Sequence, residues 1–490
     1  MSPLKAYWRR FKNPPWILRI GAILAFGPCL FRIVGGWRGL SFFVTPDQIF
    51  VLGFAGMCSL WLATRGKVTY VSPVLFSMLF LVSYPLRVIR VEMNPRSFYF
   101  GSDFSVGRFT FTNNAYWTFV GIAVLGLFGL TVGQIIMRSW LSRRRTIPKI
   151  RVKQNQVNLR FYGWLWFGIS SAILILSKAL GIGSLGLTPV VLPLHLTGFF
   201  YFSRILILPL LGMYLFGVAL ETNQRRQARI LVLMALSLGV LSFPITLSKA
   251  SVLYSLLPYV VYLYICAHYY PLSRQMLRSI IISTILLLPL IVFGAQAARN
   301  VAYSTGRLAS GREILEGFSS NIGSHSAIEL AKNSYGLMID RLIGGCELMG
   351  VLAGPSYSHE LVLRVLLGQG TNPDLGYGKI FEDVYGVILT EGGGTYRGKG
   401  MGLFGHLYLS HDPFFLVLIA LILGGLIIWV EDLFLRKINA AISAGVGFMI
   451  GLAIWEGVFD NLYHYPIFLA GILIAARLFS AEGKRASCKV

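Results

Sequence analysis

The chain has 490 residues, of which 55% are hydrophobic and only 13% are charged, and its mean hydropathy is +0.66. A soluble globular protein carries about 25% charged residues, so this composition excludes an ordinary soluble enzyme. Recurrent apolar runs of about 20 residues predict an all-α polytopic membrane protein that is embedded in a lipid bilayer. The net charge of +24 comes largely from basic residues in short loops, which indicates membrane orientation and no nucleic-acid partner.

The apolar runs predict about 12 transmembrane helices. They cover residues 16–34, 48–64, 68–89, 115–137, 161–179, 198–220, 230–247, 251–267, 279–297, 413–430, 439–458 and 466–480. The connection at 138–160 has eight basic residues and no acid, which predicts that it is cytoplasmic. Twelve spans then put both termini in the cytoplasm.

One large external loop separates spans 9 and 10. The prediction therefore has three parts: a bundle of spans 1–9 at 1–297, a partly helical loop at 298–412, and spans 10–12 with a cytoplasmic tail at 413–490. The segment from Arg299 to Asp412 holds 11 of the 20 acids in less than a quarter of the chain. Water-soluble chemistry is expected there, on the outer side of the membrane, which is the periplasm if the cell is Gram-negative.

Basic residues on the outer side are more numerous than orientation requires. Arginine binds phosphate oxygens through a bidentate fork and stays charged. Arg204 lies within an apolar run, where a charge is costly, and Arg299 lies where span 9 ends. Arg341 begins a largely apolar stretch, where a local pair with Asp340 or Glu347 is an equal alternative.

Other outer cations have more ordinary interpretations. Lys249 lies in the turn Ser248–Ser251 between two apolar spans, where it either reaches water or holds an anionic ligand. Snorkelling toward lipid headgroups is the favoured interpretation of four more cations, Arg32, Arg87, Arg90 and Lys178.

Two carboxylates lie near the outer end of span 11. Glu456 and Asp460 are four residues apart, so a helix would present both on one face. Acids within a membrane are expensive, which favours a function, although an ion pair with an outer arginine is an equal alternative.

Two further residues are candidates near the end of the large loop. His406 directly precedes span 10 and is the strongest histidine candidate. The sequence contains no HExxH or comparable ligand spacing, so no metal site is predicted. Glu391 opens a glycine-rich stretch, Glu391–Gly400, which is either a mobile flap or a flexible connection.

Several of these segments together resemble the Wzy-type polymerases of O-antigen and related repeat-unit polysaccharides. The resemblance lies in the turn around Lys249, in Arg341, in Gly402–Tyr408 followed by Gly424-Gly425, and in Glu456-Gly457 with Asp460. The chain departs from that pattern where Lys249 replaces a common arginine and where Trp455 replaces a polar residue.

The resemblance implies a metal-independent membrane glycosyltransferase of lipopolysaccharide biosynthesis that needs no cofactor. Its substrates would be oligosaccharides linked to undecaprenyl diphosphate, with a chain-length regulator as a candidate partner. It would transfer the growing glycan to a new repeat unit. The candidate diphosphate ligands are Arg299, Arg341, Arg204 and Lys249, and the candidate catalytic residues are Glu456, Asp460, His406 and Glu391.

Two other functions remain open at this point. An O-antigen ligase shares the spans and the large loop but moves finished glycan to the lipid A core. A transporter of polysaccharide or lipid-linked sugar is of a different class, and paired halves with charges near mid-membrane would favour it.

Overall fold

The computed structural model describes residues 15–65, 70–93, 111–143, 158–182, 190–246 without 191, 194 and 195, 345–367 and 402–457, with isolated residues at 258–316 and 465–472. Among these residues the regular structure is helical, with no strand. The predicted spans at 251–267, 279–297 and 466–480 lie largely outside the described residues. So do five predicted site residues, Lys249, Arg299, Arg341, Glu391 and Asp460.

The helices follow one another through the described segments. They are α1 Pro15–Trp37, α2 Pro46–Thr64, α3 Val71–Leu81, a first π turn Val82–Leu86, α4 Arg87–Met93, α5 Asn113–Arg143, α6 Leu159–Ala179, α7 Leu196–Phe202, a second π turn Ser203–Ile207, α8 Leu208–Glu221, α9 Arg225–Thr246, α10 Gly345–Ala353, α11 His359–Leu366, α12 Leu403–Leu407, α13 Pro413–Lys437 and α14 Ala440–Glu456.

Seven helical runs within the described residues are long and apolar enough to cross a membrane. They are Ile17–Trp37, Pro46–Thr64, Val71–Met93, Asn113–Arg143, Leu159–Ala179, Leu196–Glu221 and Pro413–Lys437. Each coincides with a predicted span, which confirms a multi-pass α-helical membrane protein. Two other predicted spans, 230–247 and 439–458, coincide with α9 and the shorter apolar helix α14. The total of 12 spans stays a prediction.

The chain forms two compact units. Unit 1 contains residues 1–147, 338–432 and 450–467, and unit 2 contains residues 148–337, 433–449 and 468–490. In unit 2, α6, α8 and α9 pack on one another. There the indole Nε1 of Trp166 donates a hydrogen bond to the Leu208 carbonyl oxygen at 2.7 Å.

Small residues bring α5 and α13 of unit 1 into backbone contact. A Cβ added at Gly133 would overlap the carbonyl oxygen of Leu421, and one added at Gly424 would overlap that of Leu130. Gly129 precedes Gly133 by four residues and lies on the same face. This is the small-residue spacing through which helices approach closely in membranes, where no hydrophobic force drives them together.

One end of unit 1 buries two neighbouring acids at the start of α3. The Glu431 carboxylate accepts hydrogen bonds from the Val71 N–H at 2.5 Å, the Ser72 N–H at 3.2 Å and the Ser72 hydroxyl at 2.7 Å. Asp432 accepts one from the Tyr70 hydroxyl at 2.7 Å. Glu431 therefore caps the N-terminus of α3, where unsatisfied N–H groups and the helix dipole favour a negative charge.

Arg138 serves the opposite role at the same end. Its guanidinium donates to the carbonyl oxygens of Leu62, Ala63 and Arg65 at 3.0–3.2 Å, at the C-terminus of α2. A cation there satisfies carbonyls that have no partner within the helix. We call Glu431, Asp432, Arg138 and the segment Tyr70–Ser72 the Glu431 end.

Candidate functional site

The opposite end of unit 1 is organised by the first π turn, Val82–Leu86. Pro85 lies inside this turn. Proline has no N–H to donate and clashes with the preceding helical turn, and a π turn accommodates this defect without ending the helix. Ser83, Tyr84 and Arg87 are all fully or almost fully buried, at 0%, 1% and 0% exposure.

Tyr84 lies at the centre of an aromatic cluster. Its ring stacks on Phe80 at 4.6 Å between centroids and lies 5.9 Å from Phe119. It also lies 5.7 Å from Phe404 and 6.1 Å from Trp455, which come from much later in the chain. Aromatic packing therefore joins α3, α5, α12 and α14 at this end of the unit.

The helix α10, from the predicted large loop, packs on this cluster. A Cβ added at Gly345 would lie 2.9 Å from the Ser83 carbonyl oxygen, so only glycine allows this approach to the π turn without a shift. Two residues later, Glu347 is 2% exposed. Because α10 packs against α4, which begins with Arg87, two buried and opposite charges lie on packed elements. Opposite charges on packed elements reduce the cost of removing each charge from water when they pair.

A histidine and two glycines connect α12 with the end of α14. Gly402 and Gly457 both have left-handed backbones, with φ of +71° and +69°. A Cβ added at Gly457 would lie 2.5 Å from Nδ1 of His406 and 3.2 Å from the Gly402 carbonyl oxygen. We call these three residues the glycine–histidine junction. It requires glycine at position 457 both for the backbone angle and for space.

The junction determines the tautomer and charge of His406. Its Nδ1 lies 3.0 Å from the Gly402 carbonyl oxygen, which can only accept, so Nδ1 carries the proton. The side chain is 1% exposed, and burial lowers its pKa to about 4 against a smaller opposing effect of the Gly402 hydrogen bond. His406 is therefore neutral near pH 7, with its Nε2 lone pair as the acceptor.

The structure brings two predicted site residues together. Glu456 is the last residue of α14 and is half-buried, directly before the glycine on which His406 packs. The apolar sequence of α14 ends there because Gly457 takes the left-handed conformation that terminates helices. We call the π-turn residues Ser83 and Tyr84, Arg87, Glu347, Glu456 and the glycine–histidine junction the Arg87 end.

Arg204 lies in unit 2, within the second π turn. Its Nη1 donates to the Ile182 carbonyl oxygen at 3.0 Å, and its guanidinium carbon lies 5.6 Å from the centre of the Tyr201 ring. Part of its hydrogen-bonding capacity is thus used within its own unit, and its role toward a diphosphate stays a prediction.

The interpretation of Arg87 as a snorkelling residue is wrong. Its side chain is completely buried, whereas snorkelling requires the charged head to reach water or headgroups. The sequence contains one sign of irregular structure here, since Pro85 interrupts an apolar run two residues before the arginine. The sequence predicts Glu347 only as a partner for Arg341, because its burial depends on where α10 packs.

Within the described segments, no group of three His, Cys, Asp or Glu side chains is arranged to hold a metal ion. The Arg87 end contains three groups that could act on a substrate: the buried cation of Arg87, the neutral His406 with a defined tautomer, and the half-buried carboxylate of Glu456. No protein-family model, curated protein or solved structure matches the chain.

Proposed function

We propose that this protein polymerises lipid-linked oligosaccharide repeat units on the outer face of a bacterial inner membrane. The observation that carries the proposal is the Arg87 end, where Arg87, Glu347, His406 and Glu456 gather at one end of a bundle of apolar helices. Charged groups buried within a membrane bundle mark substrate sites more often than they stabilise a fold. A lipid-linked substrate needs apolar helices for its lipid and polar groups at their ends for its headgroup.

The proposed reaction forms one glycosidic bond and breaks one bond to phosphate. The hydroxyl oxygen of a lipid-linked repeat unit attacks the anomeric carbon of the growing glycan. The bond from that carbon to undecaprenyl diphosphate breaks, and the diphosphate leaves with the electron pair. A base takes the hydroxyl proton, and cations stabilise the charge that develops on the leaving diphosphate.

Arginines and a lysine supply the cations in this proposal. We assign this role to Arg87 in unit 1, and Arg299, Arg341, Arg204 and Lys249 stay the residues that the sequence predicts for it. A guanidinium shielded from water interacts with phosphate oxygens more strongly than one in bulk solvent, because the local dielectric is lower.

Glu456 is the best-supported candidate for the base. A general base must reach the hydroxyl whose proton it takes, and His406 is 1% exposed with its Nδ1 bound to the Gly402 carbonyl oxygen, whereas Glu456 is only half-buried. Burial and its bond to Gly402 favour His406 as the residue that positions the end of α14, where Glu456 is the last residue. Asp460 and Glu391 remain alternatives for the base.

The proposal also includes the orientation of the chain. The Glu431 end lies on the side of the basic connection at 138–160 and would be cytoplasmic, together with both termini. The Arg87 end and the large loop would then be periplasmic. The proposed reaction needs no nucleotide-activated donor, which agrees with polymerisation on the periplasmic side.

The test uses the purified full chain in vesicles that contain a synthetic repeat unit linked to undecaprenyl diphosphate. We expect a ladder of longer glycans with one undecaprenyl diphosphate released per added unit. The variant Glu456→Gln removes the charge at nearly constant volume and should slow the ladder at least about 100-fold. Its matched control is Glu360→Gln, an exposed carboxylate in α11 of the same unit.

Two outcomes would contradict the proposal. If the folded protein forms no longer glycans in vesicles that contain the lipid-linked repeat unit, polymerisation is excluded. Transfer of preformed glycan to lipid A core without any ladder would instead assign the chain as a ligase.

A further inference from the structure

The short helix α11 is tied to the start of α13 by several contacts. His359 Nε2 lies 3.1 Å from the Asp412 carboxylate, and the His359 ring stacks on Phe415 at 4.6 Å between centroids. Just before the helix, the Tyr357 N–H donates to the Leu409 carbonyl oxygen at 2.9 Å. The N-terminus of α11 is therefore held at the level of the first turn of α13.

That first turn lies at the boundary of the bilayer. The Asp412 carboxylate accepts a hydrogen bond from the Phe414 N–H at 2.9 Å and so caps α13. The 18 residues from 413 to 430 carry no charge and lie between Asp412 and Glu431. At about 1.5 Å per residue they extend about 27 Å, close to the thickness of the hydrocarbon core. Asp412 must then lie at the level of the headgroups.

A row of exposed apolar side chains runs along α13 below this turn. Phe414, Leu418, Ile422 and Leu426 are all exposed, and their spacing of four residues puts them in one row along the helix. Phe414 opens the row with 86% exposure. A continuous exposed apolar row along a helix of spanning length is the surface that lipid chains cover.

Helix α11 presents apolar side chains in two directions. Val362 and Val365 are buried, whereas Leu363 and Leu367 are exposed at 40% and 64%. Leu363 follows His359 by four residues, so it lies on the same side of α11 as the histidine that contacts the first turn of α13. Eight residues extend only about 12 Å, which is far too short to cross a bilayer.

We propose that α11 lies in the membrane interface, with lipid acyl chains covering Leu363 and Leu367. Arg364, which pairs with Glu360 at 2.5 Å and is 55% exposed, would then lie among the lipid phosphates. Through His359, α11 contacts the first turn of α13, where the exposed apolar row of that helix begins, and this position at the bilayer boundary favours lipid over a protein partner. The helix thereby holds part of the large loop against the bilayer, whatever reaction the protein performs.

The test measures how deeply single side chains of the full chain lie in vesicles of phosphatidylethanolamine and phosphatidylglycerol. Leu363→Cys and Leu367→Cys are labelled separately with a nitroxide, and the spectrum of the labelled parent chain is subtracted to remove its native cysteines. Collision rates with oxygen, which concentrates in lipid, are compared with those of a water-soluble nickel complex. Glu360→Cys is the matched control on the same helix, and Ile422→Cys is the reference within the bilayer.

We expect the ratio of oxygen to nickel collisions at positions 363 and 367 to exceed that at position 360 at least about threefold and to stay below that at 422. Ratios at 363 and 367 as low as those of a side chain in water, and far below the ratio at 422, would put α11 in water and overturn the proposal. Low collision rates with both reagents at 363 and 367 would also overturn it, because they indicate cover by protein, either another segment or a second copy.

Discussion

The two ends of unit 1 both bury charged residues, but they do so for different purposes. At the Glu431 end, two charged groups meet the termini of helices: Glu431 meets the N–H groups of α3, and Arg138 meets the carbonyls of α2. At the Arg87 end, the buried charges lie among aromatic rings, a π turn and left-handed glycines. The first arrangement completes helices, whereas the second arranges side chains that helix formation does not require.

The origin of the residues differs as well. The Glu431 end joins the beginnings and ends of long apolar helices that would form without it. The Arg87 end takes its residues from the π turn and from α4, α10, α12 and α14. Two of these, α10 and α12, are short helices that precede α13. Short elements held only by tertiary packing are a costly way to stabilise a bundle, which favours a functional site at this end.

The comparison predicts that the Glu431 end matters most for stability. Glu431→Ala removes the acceptor of three hydrogen bonds, and buried donors without partners cost about 1–3 kcal/mol each. We expect the free energy of unfolding to fall by about 4 kcal/mol after partial relaxation. Thermal unfolding in detergent, followed by loss of helical circular dichroism, measures the change.

The control for this variant is Lys437→Ala, which truncates an exposed side chain near the end of the same helix. It should change stability by less than about 0.5 kcal/mol. If Glu431→Ala is no less stable than the control, the hydrogen bonds at the start of α3 are not what stabilises this end.

His406 should make stability depend on pH at the other end. Its folded pKa of about 4 lies below its ordinary value of 6.5 because burial disfavours the charged imidazolium. The unfolded chain therefore binds more protons between these values, so stability is full above pH 6.5 and is lost as pH falls toward 4. The difference corresponds to about 3 kcal/mol.

The non-titrating variant His406→Asn isolates this contribution. Asparagine retains a donor for the Gly402 carbonyl oxygen but binds no proton in this range. The parent chain should lose about 3 kcal/mol more than the variant when unfolding is compared at pH 7.5 and pH 4. Equal losses in both proteins would show that His406 does not carry the acid sensitivity.

Arg87→Lys tests whether the Arg87 end is functional. Lysine keeps the positive charge but cannot form a bidentate fork with phosphate oxygens. We expect polymer formation to fall about 100-fold, or about 2.7 kcal/mol of transition-state stabilisation, at an equal amount of folded protein. Arg32→Lys is the control, since Arg32 donates to the Val44 carbonyl oxygen in the same unit. Full polymer from Arg87→Lys would assign Arg87 a purely structural role.

The sequence predicted the long helices well because hydropathy over about 20 residues decides whether a helix can span. The predicted run at 48–64 is α2, Pro46–Thr64, and the run at 413–430 is the apolar part of α13, Pro413–Lys437. The predicted ends of helices were less accurate. For example, α13 continues beyond its apolar run, because the polar Glu431 is stabilised by its hydrogen bonds to the N-terminus of α3.

The candidate site was predicted only in part. The sequence predicts that Gly402–Tyr408 and Glu456-Gly457 both belong to the site, and the structure brings them into contact through His406. The burial of Arg87 and Glu347 was not foreseen, since it depends on α10 packing beside a π turn more than 250 residues earlier in the chain. Hydropathy reports how apolar a segment is, and it contains no information on which segment covers it.

The smallest predicted effect tests the junction itself. Gly457→Ala imposes a side chain on a left-handed backbone, which costs about 1–2 kcal/mol, and directs it at the His406 ring. The matched control is Gly121→Ala in α5, where an added Cβ meets no atom within 4 Å and should be neutral or slightly stabilising. Unfolding measurements on both variants, combined with polymer assays, separate strain from function. If Gly457→Ala reduces polymer formation by much more than its loss of folded protein explains, the position of His406 relative to Glu456 matters for the reaction. A loss no larger than that of Gly121→Ala would mean that the end of α14 tolerates a shift, and the position of His406 relative to Glu456 would then not matter for the reaction.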